Sequence, residues 1–79
     1  MKINVEFMGI LRRPESLKRI ETVEIPDNSS LKNLLKLLEY SDIEIRRLQA
    51  FYKDGTKIGL KETLRDGAEL FLTIPIGGG

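Results

Sequence analysis

The residues of this sequence best suited to chemistry are the last four, Ile76-Gly77-Gly78-Gly79, which follow Ile74-Pro75 directly. Glycines have no side chain to pack and the widest backbone freedom, so a run of them is expected to be disordered. The carboxylate of such an end is the least hindered a protein can offer, because no Cβ stands near the carbonyl carbon. It can be threaded through a narrow channel and presented to ATP. Attack of a carboxylate oxygen on the α-phosphate would give an acyl-adenylate, from which a sulfur donor or a thiol could displace AMP. Side chains at the last two positions would obstruct both threading and attack. A phosphate-cradling glycine loop is a competing reading, but it requires a helix after the glycines, and the sequence supplies none. On chemistry alone the tail reads equally well as a functional end or as a frayed one.

Little else in the chain could do chemistry. His and Cys are both absent, and no pair of carboxylates suggests a pocket. The usual nucleophile and acid–base sets are therefore missing, and an independent enzyme is the poorest candidate. The same absence removes disulfides and makes a bound metal or cofactor unexpected. Charges nearly cancel, with 13 basic and 12 acidic residues. Arg12-Arg13 and Arg46-Arg47 are isolated pairs, so no basic stripe for nucleic acid stands out. No apolar run approaches the ~20 residues a membrane helix needs, and no signal-peptide pattern opens the chain. A cytoplasmic protein without nucleic-acid or membrane partners is expected.

At 79 residues the chain holds one small domain, and a composition 41% hydrophobic and 32% charged is that of a globular one. Residues 1–76 are assigned to the domain and 77–79 to a flexible tail. Lys2 to Met8 alternates polar and apolar, which predicts a half-buried strand with Ile3, Val5 and Phe7 inward. A loop containing Pro14 should follow, then a strand at about Arg19–Ile25 ended by Pro26. Ser30 is placed to cap a helix over Leu31–Glu39. No glutamate occupies the matching position, so the sequence predicts a cap without a capping box. Leu31, Leu34, Leu35 and Leu38 form one apolar stripe, read as a core face. Ser41–Arg47 is ambiguous, with a short helical turn capped by Ser41 or Asp42 as one reading. A third strand is expected at Leu48–Lys53, a tight turn at Asp54-Gly55 leading into Thr56–Ile58, a second turn at Asp66-Gly67, and a last strand at Glu69–Ile74. The order suits an α+β fold of the β-grasp type. It predicts a mixed sheet of four to five strands with one helix packed across one face, the first and last strands being central and parallel.

From Lys2 to Gly79 the sequence resembles the MoaD/ThiS-type sulfur carriers, the small subunit of molybdopterin synthase and the thiazole-synthesis carrier, which are ubiquitin-like β-grasp proteins. The resemblance is carried by the first strand running into Gly9-Ile10-Leu11-Arg12, by Ser29-Ser30-Leu31-Lys32-Asn33-Leu34-Leu35, and by Leu64-Arg65-Asp66-Gly67-Ala68-Glu69-Leu70 through Gly78-Gly79. It implies that Gly79, with Gly78 before it, is adenylated by a partner of the ubiquitin-activating type and converted to a thiocarboxylate. The sulfur would come from a donor enzyme and pass to a sulfur-accepting synthase. ATP would be consumed by the partner, and the chain would bring no catalytic side chain. Partner contact is expected on the outward sheet face near the tail, from Phe71 and Thr73, with Tyr52 beside them and Met8 completing the patch. Ile76 and Gly77 would contact the partner ahead of the terminal pair, Ile76 along the channel into the activating enzyme. Molybdopterin-type members usually have two prolines before the tail and an acidic residue after the turn glycine. Here Ile74-Pro75 and Gly67-Ala68 stand instead, which leaves molybdopterin, thiamin, tRNA thiolation and cysteine synthesis open as pathways.

Two rival readings remain at this level. A protein modifier joined through Gly79 to target lysines needs the same fold, tail and adenylation and differs only in the acceptor. A non-covalent interaction module would leave the tail dispensable, since a fold does not fix a function.

Overall fold

The computed structural model describes residues 1–8 and 19–75. Four strands and two helices follow in the order β1 (Lys2–Phe7), β2 (Ile20–Glu24), α1 (Leu31–Leu37), α2 (Asp42–Arg47), β3 (Gln49–Tyr52) and β4 (Glu69–Thr73). The sheet order is β2-β1-β4-β3, so the first and last strands occupy the middle, as expected. They run parallel, while β2 and β3 flank them antiparallel. The Asp66-Gly67 turn sets the start of this central pair. Gly67 takes φ +80 and donates its N–H to Lys2 O at 2.7 Å, while Asp66 Oδ1 accepts from Lys2 N–H at 2.7 Å. Asn4 N–H then bonds Ala68 O at 2.9 Å, and β4 begins at the next residue.

One face of the sheet carries the core. Ile3, Val5, Phe7, Leu70 and Leu72 meet Leu31, Leu34, Leu35 and Leu38 there, all of them buried. The leucine stripe read from the sequence is this contact face, and Leu37, out of phase with it, is 53% exposed. Helix α1 is shorter than expected because Glu39 adopts φ +66. Tyr40 N–H turns back to Leu35 O and Glu39 N–H to Lys36 O, closing the helix with buried Tyr40 over buried Leu35.

Three local expectations are corrected. Helix α1 does open with a capping box: Ser30 Oγ accepts from Asn33 N–H, and Asn33 Oδ1 accepts from Ser30 N–H at 2.8 Å. Asparagine is long enough to fill the role usually given to Glu or Gln. The ambiguous segment is a second helix, α2, capped by Ser41 with Glu44 completing its own box and Ile45 buried beneath it. Two helices are therefore present where one was predicted. The Thr56–Ile58 segment forms no strand. It contributes one bridge, Lys57 to Phe51, held by Tyr52 N–H to Thr56 O and Ile58 N–H to Ala50 O. The turn before it centres on Lys53-Asp54, with Gly55 at φ +94. Thr56 N–H donates to Asp54 Oδ1 at 2.8 Å, and that bond holds the Asp54 carboxyl below its usual range. The expected loop between β1 and β2 falls mostly outside the described residues.

Candidate functional site

Strand β4 links the core to the tail. Its alternation puts Leu70 and Leu72 inward, at 1% and 0% exposure, and leaves Phe71 and Thr73 half-buried on the face opposite the helices. Both outward positions are those expected from the sequence. Past Thr73 the strand pairing stops. Ile74 still packs against the core, and Pro75 is exposed. The chain thus comes to the surface within two residues of a central strand.

The register assembles a row across the outward face. Phe71 lies opposite Glu6 of β1 on one side and Phe51 of β3 on the other, and Glu6 in turn lies opposite Ile20 of β2. Ile20 is 64% exposed, and Phe51 and Phe71 are partly covered. A carboxylate therefore sits inside an apolar row. Its ion pair with the exposed Arg19 is long, 3.9 Å from Nη2 to Oε2. Nearer the tail, Thr73 faces Gln49, and Met8 N–H donates to Leu72 O at 2.9 Å. Met8 is half-buried and continues the phase of Asn4 and Glu6, so it belongs with this face as expected.

Tyr52 does not. It pairs with Leu70, packs against the core, and stands at the end of β4 where the strand begins rather than where it leaves toward the tail. Its hydroxyl donates to Glu62 Oε2 at 3.1 Å, and the Arg65 guanidinium lies 5.5 Å above its ring. Burial first, and then the hydrogen bond and charge of Glu62, push its hydroxyl above the ordinary 10.0, with Arg65 working against them. The residue beside Phe71 is Phe51. Period-2 counting from buried Leu48 and Ala50 identifies it, although two adjacent aromatics, Phe51 and Tyr52, obscure the parity. Ile20 and Glu6 were missed as well, because only the cross-strand register brings them into the row.

Ile76, Gly77, Gly78 and Gly79 lie outside the described residues. Among the described residues no group of three or more His, Cys, Asp or Glu side chains is placed to hold a metal ion. No described helix is long and apolar enough to cross a membrane.

No protein-family model matches the chain, and no curated protein matches it. Similar solved structures include two in which the likeness spans the full length of both chains. SAMP1 from Haloferax volcanii superposes with a TM-score of 0.72 at 17% identity. A chain of the protein–protein complex of subunits 1 and 2 of molybdopterin-converting factor from Helicobacter pylori 26695 superposes with a TM-score of 0.64 at 23% identity. At such identities the likeness is one of fold. The chain has the ubiquitin-like β-grasp fold that its sequence predicts.

Proposed function

We propose that the chain is a sulfur carrier that acts through the carboxylate of Gly79 and leaves catalysis to its partners. The observation that carries this reading is the path of β4. A strand held on both sides leaves the sheet at Thr73, and Pro75 is at the surface, with Ile-Gly-Gly-Gly next in sequence. Four residues can reach about 14 Å at full extension, enough to carry a carboxylate into a narrow active site while the domain stays outside it. The fold shared with a chain of the molybdopterin-converting factor complex adds support.

In the proposed cycle a carboxylate oxygen of Gly79 attacks the α-phosphorus of ATP in the activating enzyme, and pyrophosphate leaves. Hydrosulfide from a sulfur donor then attacks the acyl carbon of the adenylate. The C–O bond to AMP breaks, AMP leaves, and the terminus becomes a thiocarboxylate. In the accepting synthase the thiocarboxylate sulfur displaces a leaving group from an electrophilic carbon of the acceptor. Water then attacks the acyl carbon of the resulting thioester, and the C–S bond breaks. The sulfur stays on the acceptor as a thiol, and the carboxylate is returned. Glycine at both terminal positions keeps the acyl carbon open to each nucleophile. Met8, Phe71, Thr73 and Phe51 form the docking face beside the emerging tail, and Ile76 and Gly77 extend the contact into the partner. The resemblance leaves molybdopterin, thiamin, tRNA thiolation and cysteine synthesis open as the destination of the sulfur.

The test is the intact mass of the chain isolated from its own cells without thiol-reactive reagents, with fragmentation of its C-terminus. Exchange of one oxygen for sulfur, located at Gly79, is expected. Lysine-branched conjugates with an unmodified free pool would make the chain a modifier, the amine taking the place of hydrosulfide at the same adenylate. Neither product, even with activating enzyme, ATP and sulfide supplied, would overturn both readings.

A further inference from the structure

The arginine pair at 46–47 takes no part in the core, but the fold gives it a defined place. Both residues lie in the last turn of α2, and both are exposed. Buried Leu48 follows, and then Gln49, the first residue of β3, which pairs with Thr73, the last residue of β4. The chain enters β3 and leaves β4 at this same end of the sheet. Arg47 stands two residues before the Gln49–Thr73 pair, and Pro75 stands two residues after it. The arginines therefore flank the exit of the tail.

No carboxylate answers them. Among the described residues neither Arg46 nor Arg47 enters an ion pair. Asp42 and Glu44 of the same helix stand in its first turn, where Glu44 Oε1 accepts from Ser41 N–H at 2.9 Å. Met8, Gln49, Thr73, Ile74 and Pro75, the described residues around the exit, are uncharged. Arg19, across the sheet, has Glu6 at 3.9 Å. A basic last turn suits the helix dipole, yet it leaves both guanidinium forks without a carboxylate. Ile43 precedes the pair by three and four residues and so shares its side of α2, while Ile45 is buried on the other. Ile43 is 65% exposed, which gives this helix face an apolar centre with two cations on its tailward side.

Two anionic surfaces come near an activated tail, the nucleotide and the protein wall around it. Reach separates them. Four residues carry the Gly79 carboxylate up to about 14 Å past Pro75, whereas an arginine head extends only about 6 Å from its own backbone. With the tail extended, the guanidinium groups stay at the channel mouth and fall short of the α-phosphate.

We propose that Ile43, Arg46 and Arg47 seat on an acidic rim around the mouth of the activating enzyme's channel. Each guanidinium takes an Asp or Glu of the rim in bidentate fashion, and an apolar side chain covers Ile43. The inference rests on the reading that a partner adenylates Gly79, since the path of the tail identifies the occupant.

The test is pyrophosphate release by the activating enzyme of the chain's own cells, with the full chain as the varied substrate. Arg46→Glu combined with Arg47→Glu should raise KM for the chain roughly tenfold in low salt. The tail is untouched, so kcat should not change. The gap should narrow as added salt screens the charges. Arg46→Gln with Arg47→Gln should fall between the two, and Arg46→Lys with Arg47→Lys should recover part of the loss. Ile43→Ser should raise KM several-fold at every salt concentration, since an apolar contact is not screened. Circular dichroism checks that each variant is folded. Equal KM for the wild-type chain and the double Glu variant overturns this inference alone. A change confined to kcat or to KM for ATP also overturns it, by putting the arginines on the nucleotide. No pyrophosphate release from the wild-type chain overturns the carrier reading, and this inference with it.

Discussion

Truncating Leu72 and Phe71 in turn to alanine tests whether neighbouring residues of β4 divide folding from docking between them. Leu72 is fully buried, opposite Ala50 of β3 and beside Phe7 of β1. Strands on both sides hinder collapse of the site, so Leu72→Ala should cost about 3–5 kcal/mol. A 79-residue domain has a total stability of about 4–12 kcal/mol, so this is a large fraction of the whole. The melting temperature should fall by at least ~12 °C, taking 4 °C per kcal/mol as the low end for a domain of this size. Phe71 is half-buried on the open face, where its removal leaves no enclosed cavity. Phe71→Ala should cost about 1 kcal/mol, part of it the cross-strand contact with Phe51. Urea unfolding followed by circular dichroism measures both. Adenylate formation by the activating enzyme, read as pyrophosphate release, should weaken several-fold in Phe71→Ala despite its intact fold. If Phe71→Ala proved as destabilising as Leu72→Ala, the outward face would be packed rather than free, and the docking assignment would fail.

Further expectations follow from the surroundings of Tyr52 and of the Ser30 cap. Tyr52 should titrate above 10.0 in ultraviolet absorbance, and Glu62→Gln should bring it only part of the way back, because burial is the larger cause. A raised phenol pKa means the folded state holds the proton more tightly. This contribution to stability is therefore present below the unfolded value and is lost as pH rises through the folded one. Ser30→Ala should cost about 1 kcal/mol in urea unfolding by removing one arm of the capping box. Asn33→Glu should preserve most of that box, since its carboxylate can also accept from Ser30 N–H. An Asn33→Glu loss as large as that of Ser30→Ala would show that the carboxylate does not take over the asparagine's bond to Ser30 N–H.

The elements that were legible in the sequence are those where one physical signal dominates. The four leucines of α1 can share a face only in a helix, and Ile3, Val5 and Phe7 can share one only in a strand. Less legible features depended on competing or distant signals. The box at Ser30 was hidden because its acceptor is an asparagine. The parity of β3 was obscured by Phe51 and Tyr52, either of which could go outward until Leu70 and Phe71 are seen opposite them. Helix α2 is a single short turn and a half, for which capping by Ser41 and Glu44 weighs more than periodicity. The Ile20–Glu6–Phe71–Phe51 row joins residues from four separate strands, and no local pattern predicts that alignment.

The parallel pairing of β1 with β4 also governs when this domain can fold. The two strands are separated by more than sixty positions in sequence, yet they are neighbours at the centre of the sheet. Closing so long a loop is slow and must precede the reward of pairing. A nascent or clipped chain that stops before Glu69 has β1 without one of its two neighbours and the leucine stripe without Leu70 and Leu72 beneath it. Such a fragment is open to proteolysis. The sheet can close only in a chain that already contains the strand leading to Gly79, so completing the fold and presenting the tail depend on the same last segment.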